Sequence, residues 1–201
     1  MRQQTTRISP EDISRQLQYC REVAALSAAR PAQPLAFVDT YGCQQNEADS
    51  ERIRGYLREM GYGFTQDEEQ AQIIVLNTCA IREHAEQRVL GNLGALVHVK
   101  RRHPEQIICV CGCMAQEAHV AEKIKQSFRH VDLVFGPHAL WRFPEFIHTL
   151  LTQRGRVFQV EMCIRDRSVP PMRWGSAISP CRSPGTEETP GPLWRPSPKK
   201  I

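Results

Sequence analysis

Three cysteines occupy equivalent positions in three successive stretches of the chain. Each one ends an apolar run and precedes a charged, helical-looking run: Cys43 in TYGCQQNEADSE, Cys79 in LNTCAIREHAE and Cys113 in CVCGCMAQEAH. The intervals between them are 36 and 34 residues, which is about one strand and one helix with their loops. Thiolates are soft ligands that suit zinc, copper(I) and iron–sulfur clusters. The pattern therefore indicates a candidate metal site made from three cysteines that are far apart in sequence.

The elements that must position these cysteines can be predicted from apolar periodicity. Four short apolar runs are typical of buried strands: residues 35–42, 71–79, 106–113 and 132–136. Each run is followed by apolar residues at helical spacing. Strands that are apolar throughout and alternate with helices are typical of a parallel sheet covered on both faces. The sequence therefore predicts the α/β class, with an open, mainly parallel four-stranded sheet built from successive βα units and helices on both faces.

The chain divides into three predicted regions. Residues 1–34 form an N-terminal helical arm, in which Ser9 is the N-cap and Asp12 completes a variant of the capping box. Residues 35–158 form the α/β domain. Residues 159–201 hold eight of the 14 prolines and lack apolar periodicity, so we expect a disordered or non-native tail.

Composition limits the functional classes without choosing one. The chain has 41% hydrophobic and 24% charged residues, as in ordinary globular proteins. The net charge is +4, but residues 1–160 carry 19 basic against 18 acidic side chains, so charge says little about partners. No window resembles a membrane span or a signal peptide, and we therefore expect a cytoplasmic monomer without membrane association. Eight cysteines in such a chain favour metal ligands, reactive thiols or buried residues over disulfides.

A parallel sheet would bring the three strand-end cysteines together. The carboxyl ends of parallel strands lie along one edge of the sheet, where ligand sites of open α/β folds are found. A structural zinc ion and an ordinary [4Fe–4S] cluster each take four protein ligands. Three thiolates leave one iron of such a cluster free for a substrate or an exogenous sulfur. From the residues alone, a shared metal site and three unrelated buried cysteines both remain open.

The other cysteines favour packing roles. Cys109 and Cys111 lie within the third strand run, and Cys20 lies on the arm helix, so we expect all three in the core. Cys163 and Cys181 stand in the predicted tail, and we assign them no function.

Polar residues flank the candidate ligands. Asn46, Asp49 and Ser50 begin the helix after the first cysteine, and Asn77 precedes the second. They either cap helices or form hydrogen bonds to cluster ligands. Arg82 either faces an anionic substrate or cluster or lies on a charged helix start. None of these residues is assigned a catalytic role.

The basic run HVKRRHP, residues 98–104, lies at a predicted helix C-terminus. Cations there oppose the helix dipole, and a contact to nucleic-acid phosphate is the alternative. The seven histidines show no metal-ligand spacing.

Three ordered motifs resemble the N-terminal domain of the radical-SAM methylthiotransferases. They are TYGCQQNEADSE, LNTCAIREHAEQRVLGNLG and CGCMAQE, and the resemblance covers residues 35 to about 155. It implies that Cys43, Cys79 and Cys113 hold one auxiliary [4Fe–4S] cluster. The residues of these motifs are most similar to those of the branch that methylthiolates N6-isopentenyladenosine next to the tRNA anticodon. Gln45 departs from the methionine that is common in this family, although it is not a ligand position.

The resemblance also implies what this chain lacks. In the family, a C-x-x-x-C-x-x-C motif binds a second [4Fe–4S] cluster and S-adenosyl-L-methionine, and this spacing does not occur here. We therefore expect both only in the full-length enzyme, with tRNA as its partner and weak contact at most from this domain. The chain alone is expected to be inactive. The alternatives are a methylthiotransferase for threonylcarbamoyladenosine tRNA or a ribosomal protein and, in another class, a non-catalytic α/β metal- or nucleotide-binding module.

Overall fold

The computed structural model describes residues 8–80, 85–153 and 155–160. Its helices are α1 Pro10–Ala28, α2 Gln44–Glu59, α3 Ala85–Arg102, α4 Ala118–Ser127 and α5 Phe143–Gln153. Its strands are β1 Leu35–Tyr41, β2 Gly63–Phe64, β3 Ile73–Thr78, β4 Ile107–Cys111, β5 Leu133–Phe135 and β6 Val157–Gln159. Two 3-10 helices, Cys113–Gln116 and Pro137–Arg142, follow β4 and β5. Arg82, Cys163 and Cys181 lie outside the described residues, as do residues 161–201 of the predicted tail 159–201.

The strands form one open sheet in the order β2-β1-β3-β4-β5-β6, and every pairing between them is parallel. The predicted α/β fold is therefore confirmed. Two short strands add to the four that were predicted, and they lie at the two edges of the sheet. With two and three residues respectively, β2 and β6 are too short to show a sequence period.

Helices cover both faces of the sheet. On one face, α1, α2 and α5 pack with Ile73, Val75, Cys109 and Phe135 of the sheet. On the other face, α3 and α4 pack against the alternate residues of the same strands. Every residue of β3 and β4 is buried, as the uninterrupted apolar runs indicate.

The first helix belongs to the layer on the first face. Ser9 Oγ accepts a hydrogen bond from the Asp12 backbone N–H at 3.1 Å, and the Asp12 side chain accepts one from the Ser9 N–H at 3.2 Å, which confirms the predicted capping box. Val23 is buried in the core on this side, and Gln16 Nε2 donates to Glu145 Oε2 of α5 at 3.3 Å. The domain boundaries themselves stay a prediction.

The order of the strands creates a switch point between β1 and β3. After β1 the chain forms α2 and then the edge strand β2 on one side of β1. It then returns to the opposite side of β1 to form β3. The crossovers from β3 and β4 use α3 and α4 on the other face. In doubly wound sheets, ligands bind at the carboxyl ends of the strands where the order reverses. No helix in the described ranges is long and apolar enough to cross a membrane.

Candidate metal centre

The three strand-end cysteines lie at the switch point, on neighbouring strands. Asn77 of β3 pairs with Cys111 of β4, so that Cys79 and Cys113 are each two residues beyond the same pair. Tyr41 of β1 pairs with Thr78, and its carbonyl accepts the backbone N–H of Cys79 at 3.0 Å. Neighbouring strands run about 4.8 Å apart. The register therefore brings together the three residues that were predicted to form one site.

Cys43 occupies the N-cap of α2. The backbone N–H groups of Asn46 and Gln45 face its sulfur, and with the nearby Cys79 thiol they lower the pKa of Cys43. A helix N-terminus concentrates unpaired N–H donors and a partial positive charge, and both stabilise a thiolate. Cys43 is therefore suited to act as an anionic ligand.

The other two thiols differ from Cys43 in their surroundings. Cys79 is buried, with 2% of its surface exposed, whereas Cys113 is partly exposed at the start of a 3-10 helix. Burial raises the pKa of Cys113, and the charges of Cys79 and Cys43 raise it further. Charges shift a neighbouring pKa at short range, so this effect on Cys113 agrees with the position of the three thiols at neighbouring strand ends.

A glycine precedes two of the three cysteines, and both glycines allow close approach. Gly112 has φ +97°, and a Cβ there would lie 2.2 Å from the Thr78 carbonyl oxygen. A Cβ at Gly42 would lie 2.3 Å from Asn46 Oδ1. The Gly-Cys pairs were visible in the sequence, but the contacts that require them could not be predicted from it.

Two buried side-chain amides join the cysteine-bearing segments, and we call the pair Asn46 and Asn77 the amide clasp. Asn46 Nδ2 donates to Asn77 Oδ1 at 3.0 Å and to the Thr78 carbonyl at 3.2 Å. Asn77 Nδ2 donates to the Asn46 carbonyl at 2.8 Å and to Ser50 Oγ at 3.0 Å. Asn46 Oδ1 accepts the Cys43 N–H at 3.2 Å. Asn46 thus combines the two predicted roles, because it caps α2 and also contacts a candidate ligand.

Asp49 and Ser50 extend this polar layer along α2. Ser50 is fully buried and forms a hydrogen bond of 2.8 Å with Thr40 Oγ1. Asp49 Oδ1 accepts a hydrogen bond from Gln45 Nε2 at 3.1 Å. The negative charge of Asp49 also contributes to the raised pKa of Cys113. Both residues therefore lie in the layer behind the thiols rather than among them.

Other residues singled out in the sequence lie away from this edge. Cys20, Cys109 and Cys111 are buried at 2%, 0% and 2% exposure, which confirms the predicted packing roles. Lys100 pairs with Asp132 at 2.8 Å, and Arg102 pairs with Glu69. These two cations lie at the end of α3, at the opposite edge of the sheet, where they are engaged in contacts within the domain.

The chemistry of the donor set suits an iron–sulfur cluster. It consists of three soft thiols at adjacent strand ends, one of them with a lowered pKa. As the side chains stand in the described ranges, no group of three or more His, Cys, Asp or Glu residues is arranged to hold one metal ion. A cavity of about 300 Å³ opens beside Cys79, lined in part by Met114, Glu117 and His119.

The fold and the site define a doubly wound α/β domain with three cysteines at the strand ends of its switch point. A model of the family described as Uncharacterized protein family UPF0004 matches residues 36–136, a span that includes Cys43, Cys79 and Cys113. The chain belongs to this family.

Several curated proteins are similar to this chain. A tRNA-2-methylthio-N(6)-dimethylallyladenosine synthase from Alkaliphilus oremlandii is 43% identical over 153 residues, which are 76% of this chain and 32% of that protein. The protein of the same name from Clostridioides difficile is 49% identical over 113 residues, 56% of this chain and 24% of that protein. The protein of this name from Acetivibrio thermocellus is 39% identical over 160 residues, which are 78% of this chain and 33% of that protein. The chain thus spans about a third or less of these relatives.

Proposed function

We propose that this chain is the N-terminal part of a tRNA methylthiotransferase and that Cys43, Cys79 and Cys113 hold one [4Fe–4S] cluster. The observation that carries the proposal is the position of the three thiols, on adjacent strand ends at a switch point. Its support comes from relatives whose names state the synthesis of a methylthiolated tRNA nucleoside. The register of β1, β3 and β4, by which the three cysteines follow neighbouring strand ends, also supports the proposal.

The residues of this chain would ligate and orient the cluster. Cys43, with its lowered pKa, would supply an anionic ligand at the start of α2. Cys79 supplies a buried ligand and Cys113 a partly exposed one. When bound, such a cluster supplies redox chemistry and one iron without a protein ligand. The protein contributes the three thiolates, their spacing and a crevice that is open on one side.

The proposed substrate of the full-length enzyme is the N6-isopentenyladenosine of tRNA, the nucleoside that the relatives' names call N(6)-dimethylallyladenosine. S-adenosyl-L-methionine and a second [4Fe–4S] cluster would bind outside this chain. We place the enzyme in the cytoplasm, as a monomer, and we propose that the chain alone does not methylthiolate tRNA. Turnover of isopentenylated tRNA by this chain alone would contradict the last statement.

Anaerobic reconstitution with iron and sulfide tests the cluster. We expect about four irons and four sulfides per chain, with loss of most of both in Cys43→Ala, Cys79→Ala and Cys113→Ala. Cys111→Ala is the matched control, because Cys111 lies two residues from Cys113 and its side chain is fully buried. It should load as the unaltered chain does.

The same assay separates the competing class of function. Zinc in place of iron and sulfide, or no metal at all, would favour a non-catalytic α/β binding module. Iron that is retained when any of the three cysteines is replaced would refute the assigned ligand set.

A further inference from the structure

We infer that the three-thiol site is preorganised by the amide clasp, with Asn46 and Asn77 acting as positioning residues in the metal-free chain. The inference rests on the proposed function for the identity of the natural ligand, but not for the geometry of the thiols. Asn77 acts through the cysteine-bearing backbone that it holds. Asn46 also holds this backbone, and its Oδ1 accepts a hydrogen bond of 3.4 Å from Cys43 Sγ.

The orientation of both amides is fixed by backbone carbonyls. Asn77 Nδ2 lies 2.8 Å from the Asn46 carbonyl oxygen, which can only accept, so its Oδ1 must face Asn46. Asn46 Nδ2 then donates to Asn77 Oδ1 and to the Thr78 carbonyl. The remaining atom, Asn46 Oδ1, therefore faces the backbone N–H of Cys43. Rotation of either amide by half a turn would set oxygen against oxygen.

All three cysteine-bearing segments contact the clasp. Asn46 holds the N–H of Cys43 and the carbonyl of Thr78, the residue before Cys79. Gly112, the residue before Cys113, lies so close that an added Cβ would be 2.5 Å from Asn77 Oδ1. The two amides thus connect residues that are 31 positions apart in sequence.

Burial makes the clasp rigid. Asn46 and Asn77 have 1% and 0% of their surface exposed, so water cannot replace a lost hydrogen bond without local opening. A buried polar group without its partner is costly, and networks in low dielectric are stronger than isolated pairs. In many small metal sites the ligand arrangement forms only when the metal binds. Here the hydrogen bonds that set the arrangement are made by the protein itself.

A trivalent arsenic probe tests the geometry without a cluster. Arsenite exists in neutral solution as As(OH)₃, and three thiols that rotate inward on a backbone already held in place can replace its three hydroxyl groups, with release of three waters and no change of oxidation state. We expect the reduced, metal-free chain to bind one arsenite, with Cys43, Cys79 and Cys113 protected from alkylation in peptide mass maps.

Asn77→Asp is the decisive variant because it keeps the shape and replaces the Nδ2 donor with an oxygen that faces the Asn46 carbonyl. We expect arsenite affinity to fall by about tenfold or more. The control is Val23→Ala, which removes buried methyl groups from α1 and lowers stability without touching the clasp. It should bind arsenite as the unaltered chain does.

Gly42→Ala serves if Asn77→Asp does not fold, since its Cβ would displace Asn46 Oδ1, 2.3 Å away, without burying a charge. Unchanged arsenite affinity in the folded clasp variants would overturn the inference. So would an unaltered chain that binds iron and sulfide but does not protect the three thiols with arsenite. Arsenite binding without iron–sulfide loading would leave the inference standing and refute the proposed function.

Discussion

Replacement of Gly112 by alanine should destabilise the domain severely, and two other glycines separate the causes. Gly112 has φ +97° and ψ −174°, a region of backbone conformation that is almost restricted to glycine and costs other residues about 1–3 kcal/mol. Its Cβ would also lie 2.2 Å from the Thr78 carbonyl oxygen and 2.8 Å from the Thr78 nitrogen. Both atoms are backbone of β3 or its end, so they cannot move aside independently.

The collision adds to the conformational cost. Overpacking in a tight interior typically costs about 1–3 kcal/mol. The reduced entropy of the unfolded chain returns only about 0.4–1 kcal/mol when glycine becomes alanine. Because an added Cβ would meet backbone atoms at 2.2 and 2.8 Å, both costs should fall in the upper halves of their ranges. We therefore expect Gly112→Ala to lose about 3–5 kcal/mol of unfolding free energy, a large part of the roughly 5–15 kcal/mol of an ordinary domain.

Gly61 and Gly136 provide the matched comparisons. Gly61, after the end of α2, has φ +84°, but the nearest atom to an added Cβ is 3.6 Å away. Gly61→Ala therefore measures the cost of the backbone conformation without a collision. We expect about 1 kcal/mol of destabilisation there. Gly136 follows β5 at the same edge as Gly112, with φ −81° and only the flexible Gln116 side chain at 3.4 Å. Gly136→Ala should be neutral or slightly stabilising.

Urea unfolding of the metal-free variants, followed by circular dichroism, measures the series. The expected order of stability is Gly136→Ala, Gly61→Ala and then Gly112→Ala. If Gly112→Ala unfolds at the same urea concentration as Gly136→Ala, the close packing of the β4 end against the β3 end is refuted. That result would also refute the inference that the segments carrying Cys43, Cys79 and Cys113 are held rigidly together.

Three further predictions concern the other thiols and the charged groups. In the native metal-free chain at pH 8, iodoacetamide should modify Cys43 and Cys113 well before Cys20, because burial raises the pKa of Cys20 to about 11 and keeps it protonated; equal rates in peptide mass maps would contradict this. Glu145→Gln should cost about 0.5–1 kcal/mol at pH 7, since the Arg142 hydrogen bonds lower the pKa of a carboxylate that is 27% exposed. A depressed pKa stabilises the fold only above that pKa, so the difference from the unaltered chain should disappear as the pH falls below the usual value of 4.5; a constant difference in urea midpoints down to acidic pH would exclude this cause. Lys100→Met should cost about 1–3 kcal/mol, because the pair with Asp132 at 2.8 Å is mostly buried, while the exposed Arg101→Ala should stay within about 0.5 kcal/mol. Neither change should alter the salt dependence of the tRNA binding that we propose for the full-length enzyme. Loss of a phosphate contact would instead reduce the slope of log binding constant against log salt concentration by about one.

The sequence was most informative where a local rule applied. The capping box at Ser9, the buried strands and the positions of the cysteines at strand ends each depend on neighbouring residues or on periodicity, and each was predicted correctly. The two edge strands were missed because they are short and only partly buried, so they lack the continuous apolar run that marks the similarly short but fully buried β5. The pairing of Asn46 with Asn77 was missed because it joins positions 31 residues apart. It depends on strand order and register, which sequence periodicity does not specify.

Polar side chains have different roles at the amino ends and at the carboxyl ends of the strands, and this difference agrees with the proposed location of the site. At the amino ends of the strands, side chains tie the backbone together: Asp132 accepts the N–H of Ile108 at 2.8 Å, and Arg156 donates to the Val131 carbonyl at 2.7 Å. Lys100 neutralises Asp132 there. At the carboxyl ends, the clasp performs the same task with neutral amides, which add no charge beside the thiols. A buried cation at the carboxyl ends would pair with a thiolate and compete with metal for it, whereas the amides fix the backbone and meet a sulfur only through the 3.4 Å hydrogen bond from Cys43 Sγ to Asn46 Oδ1.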